Sequence, residues 1–282
     1  MLAALRVALS IGLLAAVLAV AGPGRIRDAL VRADWRWVAL AAALWLAVQW
    51  LNVAKWALLA RSQGLLVEFR DLLAAYFVGM FFNTFLPSGF GGDVARAYRL
   101  ARLTGKGTGA AAAINVAIDR GTSLYALILL AAAATLAARP EWRLVPLWAA
   151  LGLAVAGGLA LAWFLRADGR ALAGALFISL VFQALAVVLH YCLVRAMGIG
   201  ADFAYVCVFF PILALAASLP ITINGLAVRE GGFAFFLGRV GAAPADAVAV
   251  GLLSLALLLA SGAAGAVLVM RNRGARPAPE AA

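Results

Sequence analysis

Charged residues are scarce in this sequence. Asp, Glu, Lys and Arg make up 12% of its positions, against about a quarter in ordinary soluble chains, and the mean hydropathy is +1.03. This combination excludes a soluble globular domain. Apolar runs of about 18 or more residues recur along the chain, and each is long enough to cross a hydrocarbon core of roughly 30 Å. We therefore predict an all-α polytopic membrane protein.

Cysteine and histidine are nearly absent as well. Cys192 and Cys207 both lie in apolar segments, which argues against a disulfide framework, and no Cys or His stands at a metal-ligand spacing. The motifs of zinc proteases, serine hydrolases and nucleotide-binding loops are missing too. We expect no cofactor, no metal and no enzymatic activity, although a reaction run by intramembrane acidic residues stays open.

Long polar stretches are also missing. The longest is the C-terminal RNRGARPAPEAA, residues 271–282, which we predict to be a disordered cytoplasmic tail following a single transmembrane domain over residues 1–270. The net charge of +11 comes from Lys and Arg scattered over short loops and helix ends. Such scattering is typical of contact with anionic lipid headgroups, so nucleic acid is not an expected partner.

Eight apolar segments are present, and two of them are short for a membrane span. The short segments, 71–87 and 203–220, both end at Leu-Pro. We predict that the first segment is a membrane helix, although its composition also fits a cleaved signal peptide. The eight segments are 5–22, 35–60, 71–87, 108–137, 144–165, 171–197, 203–220 and 245–270.

The chain contains an internal repeat. Shifting the sequence by 133 residues places LPSGFGGDVAR (86–96) on LPITINGLAVR (219–229), with the shared pattern L-P-x4-G-x3-R. The same shift superimposes the long segments of the two halves, so we predict repeat halves of about 1–137 and 138–270. The repeat also favours a retained first helix, because its counterpart in the second half is one.

Two topologies fit eight segments. If every segment crosses the membrane, eight spans result and the halves are parallel. If each short segment is a re-entrant broken hairpin, six full spans remain and the halves are inverted, because each holds an odd number of spans. The hairpin topology places more Lys and Arg on the side bearing both termini. We therefore predict six spans, two re-entrant hairpins, inverted halves and cytoplasmic termini.

The two breaks predict an anion site. Pro87 and Pro220 must end the incoming helices, and a new helix then exposes free N–H groups that attract anions. Asp93 and Asn224 are the expected N-caps. Arginine one turn later suits a phosphate, since its planar fork binds two oxygens. The alternative is a packing kink with arginines that reach to the surface. The predicted substrate-binding residues are Arg96, Arg229, Gly91, Gly92, Asp93, Asn224, Gly225 and Glu230.

Further polar residues lie inside apolar segments, where they are costly unless paired or facing water. Asp119-Arg120 predicts either a coupling pair or a structural ion pair. Lys55 continues a polar stripe that predicts either a cavity or hydrogen bonds between helices. His190 predicts either a proton relay or a hydrogen-bonded core residue. The candidates for gating or coupling are Asp119, Arg120, Asn83, Lys55 and His190.

Three motifs carry a family resemblance. FFNTFLPSGFGGDVARAYRL, AINVAIDRG and LPITINGLAVREGGF resemble the flippase-like membrane region of the lysylphosphatidylglycerol synthase family, which forms the N-terminal half of the multiple peptide resistance factor. The resemblance covers nearly the whole chain. Ala227 departs from it, since the family often has a second glycine in N-G-x-G-x-R-E; we expect this to cost flexibility and to leave the site intact.

The resemblance implies a protein that moves a lipid, typically an anionic phospholipid or a modified derivative, between leaflets. It does not imply synthase activity, because aminoacyl transfer in the two-part proteins belongs to a large soluble C-terminal domain. We expect a lipid translocase in the bacterial plasma (inner) membrane, with Arg96 and Arg229 binding the phosphate. The alternatives are a secondary transporter of a small anion and a non-transporting partner of a lipid-modifying enzyme. Expected partners are membrane lipids, and either a second copy of the chain or such an enzyme.

Overall fold

The computed structural model describes residues 2–85, 91–105, 107–137, 151–158, 160, 168–219, 222 and 225–273. Within these ranges the regular structure is entirely helical. The helices are α1 (Leu2–Ala21), α2 (Pro23–Arg32), α3 (Trp35–Ser62), α4 (Phe69–Phe85), α5 (Gly91–Thr104), α6 (Gly109–Ala137), α7 (151–158), α8 (Gly169–Ala196), α9 (Phe203–Ser218), α10 (Val228–Gly238) and α11 (Pro244–Arg273).

Four of the described helices, α3, α6, α8 and α11, are long and apolar enough to cross a membrane. Helices α1 and α2 together supply a fifth candidate, but their axes differ by 74°. The apolar helix α9 is shorter. The predicted segment 144–165 lies outside the described residues except at 151–158 and 160. The described helices confirm a helical bundle with several spans.

The bend between α1 and α2 has a local cause. Gly22 has φ of 82°, a conformation that glycine adopts far more readily than other residues. Pro23 follows as the first residue of α2, a position where its missing N–H removes no intrahelical bond. Helix α2 was not predicted, because its sequence PGRIRDALVR is too polar to stand out as an apolar segment.

Helices α3 and α8 form the central antiparallel pair, and both begin in the same way. Each has 28 residues. Asp34 accepts a hydrogen bond from the Arg36 N–H at 3.0 Å, and Asp168 accepts one from the Arg170 N–H at 3.1 Å. These N-caps satisfy amide groups that the first turn leaves free. Near the other end of α3, Leu58 lies against Gly174 in the first turns of α8, which makes the pair antiparallel.

Helices α4 and α5 form a first helical hairpin. Asn83 near the end of α4 contacts Gly92 at the start of α5, while Tyr76 further back on α4 contacts Arg96 further along α5. The two helices are therefore antiparallel. A Cβ at Gly92 would overlap the carbonyl oxygen of Gly79, so the close approach of the two backbones requires glycine at this position.

Helices α9 and α10 form a second hairpin of the same kind. The Tyr205 hydroxyl near the start of α9 donates to the Phe236 carbonyl near the end of α10, at 2.8 Å. At the opposite end of the hairpin, Gly225 has φ of 71°, and a Cβ there would lie 2.8 Å from the Ala217 Cβ. In each hairpin, a glycine after the turn thus lies in close contact with the first helix, Gly92 with α4 and Gly225 with α9.

The open ends of the two hairpins lie at opposite ends of the α3–α8 pair. In the first, Leu72 of α4 and Leu100 of α5 share a buried cluster with Ala60, near the C-terminal end of α3. In the second, Phe203 at the start of α9 packs on Tyr191 near the C-terminal end of α8, with ring centroids 5.1 Å apart. Because α3 and α8 are antiparallel, these two ends lie on opposite sides of the bundle.

Candidate functional site

A buried ionic cluster lies where α3, α5 and α6 meet. Arg96 donates through Nη2 to Asp119 Oδ2 at 2.7 Å, and Lys55 Nζ lies 3.1 Å from Asp119 Oδ1. Lys55 also donates to the Asp119 main-chain oxygen at 2.8 Å and to the Ser123 hydroxyl. Lys55 is 1% exposed, and Arg96 and Asp119 are each 6% exposed. Charges so deeply buried are tolerated when they are paired.

Aromatic rings form the walls around Arg96. Its guanidinium carbon lies 4.2 Å from the centroid of Trp56 and 5.4 Å from that of Tyr76, close enough for cation–π attraction. Trp56 is held in turn by a 2.8 Å hydrogen bond from its Nε1 to Asn115 Oδ1. These contacts on α3, α4 and α6 fix the plane of the guanidinium.

The cluster continues outward through Asp93. Its carboxylate lies 3.9 Å from Arg96 Nη1 and 3.3 Å from Arg120 Nη1. The Arg120 side chain is 49% exposed, whereas the inner residues are buried. The three cations, Lys55, Arg96 and Arg120, and the two carboxylates leave a net charge of +1. Within the described part of the chain, Arg96 Nε has no hydrogen-bond partner.

The N-terminus of α5 differs from the prediction. The helix begins at Gly91, so Asp93 lies in its first turn and is not the N-cap. The Gly92 N–H instead donates to Asn83 Oδ1 of α4 at 2.9 Å. Asp93 is unavailable for capping because its carboxylate faces Arg96 and Arg120. Asn83, predicted as a gating residue, therefore ties the end of α4 to the start of α5.

In the second hairpin, Arg229 is the repeat equivalent of Arg96 and forms a different ion pair. Arg229 donates to Glu230 Oε1 through Nε at 3.2 Å and Nη2 at 3.0 Å. The other carboxylate oxygen, Oε2, accepts the Ala227 N–H at 2.6 Å, at the N-terminus of α10. Glu230 is fully buried, with its backbone against Gly251 of α11. This arginine is therefore neutralised by its own neighbour.

The two halves differ in charge at matching positions. The 133-residue shift of the repeat places Lys55 on Val188 and Asp119 on Leu252. The second half therefore lacks both the lysine and the aspartate that surround Arg96. Among the described residues, the ionic cluster therefore has no counterpart in the second half.

His190 lies in the packed core of the second half. Its Nδ1 is 2.7 Å from the Ala186 carbonyl oxygen, and its Nε2 is 3.1 Å from Ser254 Oγ. The imidazole stacks on Phe210 with ring centroids 3.9 Å apart. Both ring nitrogens thus have protein partners, as in the hydrogen-bonded core alternative considered from the sequence.

The structure brings five predicted residues into one cluster and two into a separate pair. Helix α5 packs against α4 and α6, whereas α10 packs against α9, α11 and α1. Gly91 is the first residue of α5, and Gly225 lies three residues before the start of α10. Pro87, Pro220 and Asn224 lie outside the described residues. The prediction that Asn224 is the N-cap of α10 is wrong, because the helix begins at Val228 and its N-cap is Ala227. The clustered residues are Lys55, Asp93, Arg96, Asp119 and Arg120, and the pair is Arg229 and Glu230.

The polar stripe on α3 faces protein along its described contacts. The Gln49 amide donates to Ser261 Oγ of α11 at 3.2 Å and to the Met80 sulfur of α4 at 2.7 Å, while Lys55 binds α6. The stripe therefore joins helices, one of the two alternatives drawn from the sequence. Trp56 and Tyr76 were not predicted as site residues. The only signal in the sequence was the position of Trp56 next to the intramembrane Lys55.

Comparisons with known proteins point to a family of membrane proteins. The family described as the lysylphosphatidylglycerol synthase TM region matches residues 3–170 and 164–265. A "UPF0104 membrane protein" of Methanothermobacter thermautotrophicus is 33% identical over 129 residues, which are 45% of this chain and 38% of that relative. No solved structure matches the chain. The family match spans most of the sequence and confirms the resemblance seen in its motifs. The chain is a multi-pass membrane protein that belongs to the family of the lysylphosphatidylglycerol synthase transmembrane region.

Proposed function

We propose that the protein is a lipid translocase that moves an anionic phospholipid between the two leaflets. The observation that carries the proposal is the net charge of +1 in the cluster of Lys55, Asp93, Arg96, Asp119 and Arg120. An uncompensated charge inside a membrane bundle is costly. The phosphodiester of a phospholipid carries one negative charge, so its binding would make the cluster neutral.

The arrangement of donors supports a phosphate ligand. Arg96 Nε lacks a hydrogen-bond partner in the described part of the chain, so this arginine keeps a donor for an incoming oxygen. Arg120 lies at the half-exposed edge of the cluster and would meet the headgroup first. Asp93 and Asp119 occupy the places of the phosphate oxygens when no ligand is bound, and binding would exchange one carboxylate contact for a phosphate contact.

The position of Arg120 favours a lipid over a water-soluble anion. It is the twelfth residue of the 29-residue α6, and a charged residue near the middle of a span normally faces the bundle interior or water. Its side chain is nevertheless 49% exposed. A headgroup path that opens sideways, with the acyl chains left in the bilayer, accounts for this exposure.

We propose that Arg229 forms the second phosphate position of the path. Its guanidinium holds Glu230 through two bonds, so a phosphate there must displace a carboxylate from a neutral pair. This position should bind the lipid more weakly than the Arg96 cluster. Two positions of unequal affinity, one in each half, suit a ligand that must be released after binding.

Inverted halves fit this path. The antiparallel hairpins start from opposite ends of the α3–α8 pair, which supports six full spans, two re-entrant hairpins and an inverted repeat. Discontinuous helices in inverted repeats are a recurrent plan of transporters, in which one repeat rocks against the other. We further propose a location in the bacterial plasma membrane with both termini in the cytoplasm, and assign no enzymatic step to the chain.

Reconstitution into phosphatidylcholine vesicles tests the proposal. The purified protein is incorporated with a trace of fluorescent phosphatidylglycerol, and the fraction reached by an impermeant quencher is followed over time. We expect protein-containing vesicles to expose inner-leaflet phosphatidylglycerol faster than protein-free vesicles, and faster than fluorescent phosphatidylcholine.

Two parallel measurements separate the other function classes. Uptake of inorganic phosphate without lipid movement would replace the proposal with a secondary transporter of small anions. Movement of neither lipid nor phosphate by folded protein would contradict transport and favour a non-transporting partner of a lipid-modifying enzyme. Folding of the reconstituted protein is checked by its helical circular dichroism.

A further inference from the structure

An apolar groove lies between α2 and the start of α3, twenty residues along α3 from Lys55 of the ionic cluster. It is an open groove of about 530 Å³, within the size range of small-molecule sites. Its lining is almost entirely apolar, and Arg27 is the one charged residue among the residues that line it. The lining residues are Pro23, Ile26, Arg27, Leu30, Val31 and Trp35.

Helix α2 is fixed in place by its buried face. Ile26 is buried in a cluster with Ala245 and Val248 of α11, and Arg32 forms an ion pair with Asp246 at 3.6 Å. These contacts hold a ten-residue helix that would be marginal in isolation. The groove is therefore a formed surface of the bundle.

The exposed arginines of α2 point in different directions. At 100° per residue, Arg27 lies on the same side as Pro23 and Val31, and it lines the groove. Arg25 lies about 160° away around the helix and does not line the groove. Within the described part of the chain, neither Arg25 nor Arg27 has a carboxylate within ion-pair distance.

The place of the groove in the fold fits the membrane–water boundary. Helix α2 leaves α1 at 74°, so it does not continue the direction of that apolar helix. Trp35, at the start of the span α3, is 58% exposed, and tryptophan is enriched at the headgroup level of membranes. A polar, arginine-bearing helix at that level is typical of interfacial helices on anionic bilayers.

We propose that this groove binds an anionic phospholipid. Its phosphate pairs with Arg27, and the first part of an acyl chain lies against Leu30, Val31 and Trp35. Charge complementarity selects an anionic lipid, because Arg27 is exposed at the groove and forms no ion pair with a carboxylate of the described residues. This site is separate from the proposed transport path and holds a resident lipid whether or not the protein moves lipids.

Quenching of Trp35 by brominated lipids tests this site. Full-length protein is reconstituted with lipids brominated near the top of the acyl chain, either phosphatidylglycerol or phosphatidylcholine, at a series of mole fractions. The Trp35 contribution is the difference between the parent and a Trp35→Phe variant. We expect half-maximal quenching at a mole fraction about fivefold lower for phosphatidylglycerol, the preference that one arginine at a membrane surface provides.

The chain supplies a matched control on the same helix. We expect Arg27→Gln to abolish the preference for phosphatidylglycerol, and Arg25→Gln to retain it. Equal quenching by the two lipids in the parent would overturn the proposal. An equal loss of preference in Arg25→Gln and Arg27→Gln would overturn it too, because it would reveal general attraction to the surface instead of a site. Quenching reports occupancy alone, so the result is independent of any lipid transport.

Discussion

Asp119 holds two buried cations, so its neutralisation should destabilise the protein more than the loss of either cation. Asp119→Asn leaves Lys55 and Arg96 buried without their shared carboxylate and raises the net charge of the cluster from +1 to +2. Removing one partner of a buried ion pair costs about 3–5 kcal/mol. For a chain of this size, that corresponds to a decrease on the order of 10 °C in the unfolding midpoint.

A second substitution makes the reasoning specific to charge. Lys55→Met combined with Asp119→Asn returns the net charge of the cluster to +1. The double variant should therefore be more stable than the sum of the two single changes predicts, with a coupling energy of about 0.5–3 kcal/mol. Glu68→Gln, at an exposed position before α4, serves as the control and should unfold close to the parent.

The assay is thermal unfolding in detergent micelles at one fixed scan rate, because membrane proteins often unfold irreversibly. The fraction of monodisperse protein that remains after heating gives the midpoint for each variant. The reasoning is refuted if Asp119→Asn unfolds within about 1 °C of the parent. It is refuted equally if the double variant loses the full sum of the single effects.

Three further predictions, one of them with a control substitution, test local contacts. Ala227 has φ of 68°, a region that costs a non-glycine residue roughly 1–2 kcal/mol. Because glycine itself loses about 0.5–1 kcal/mol more conformational freedom on folding, Ala227→Gly should raise the free energy of unfolding by about 0.5–1 kcal/mol; no gain in the same thermal assay would contradict this. Gly92→Ala should lower the unfolding midpoint by several degrees, because a Cβ would overlap the Gly79 carbonyl, whereas Gly109→Ala, with open space around it, should not. His190→Phe should leave the pH dependence of lipid transport unchanged, since both imidazole nitrogens bind protein groups; a lost pH response would instead assign it a proton-transfer role.

Hydropathy predicted the long helices well, because a membrane span needs only length and apolar composition. The predicted segment 35–60 corresponds to Trp35–Ser62, and 171–197 corresponds to Gly169–Ala196. Helix α2 escaped prediction because it has neither property, being ten residues long and largely polar. Its amphipathic sequence resembles a loop until the structure shows Ile26 and Ala29 buried.

The residues of the site could be predicted from the sequence, but the ion pairs that they form could not. Arg96, Asp119 and Lys55 each stand out as charged residues in or beside apolar segments. Their common contact depends on how α3, α5 and α6 are rotated about their axes, and a single sequence does not determine those rotations. The pairing of Arg229 with Glu230 was easier to anticipate, because the two residues are adjacent. The capping of α5 by Asn83 was hidden for the same reason as the cluster, since it joins two helices.

The claim that Arg96 binds a lipid phosphate is tested most directly by the rate of phosphatidylglycerol movement in reconstituted vesicles. Arg96→Gln removes one positive charge from the cluster, while Arg102→Gln removes one from an exposed position six residues further along α5. Folding is matched by comparing only variants that incorporate as monodisperse protein. We expect the rate to be at least tenfold slower for Arg96→Gln, which corresponds to about 1.4 kcal/mol of lost interaction. The rate for Arg102→Gln should be unchanged. Equal rates for the parent and Arg96→Gln would contradict the claim.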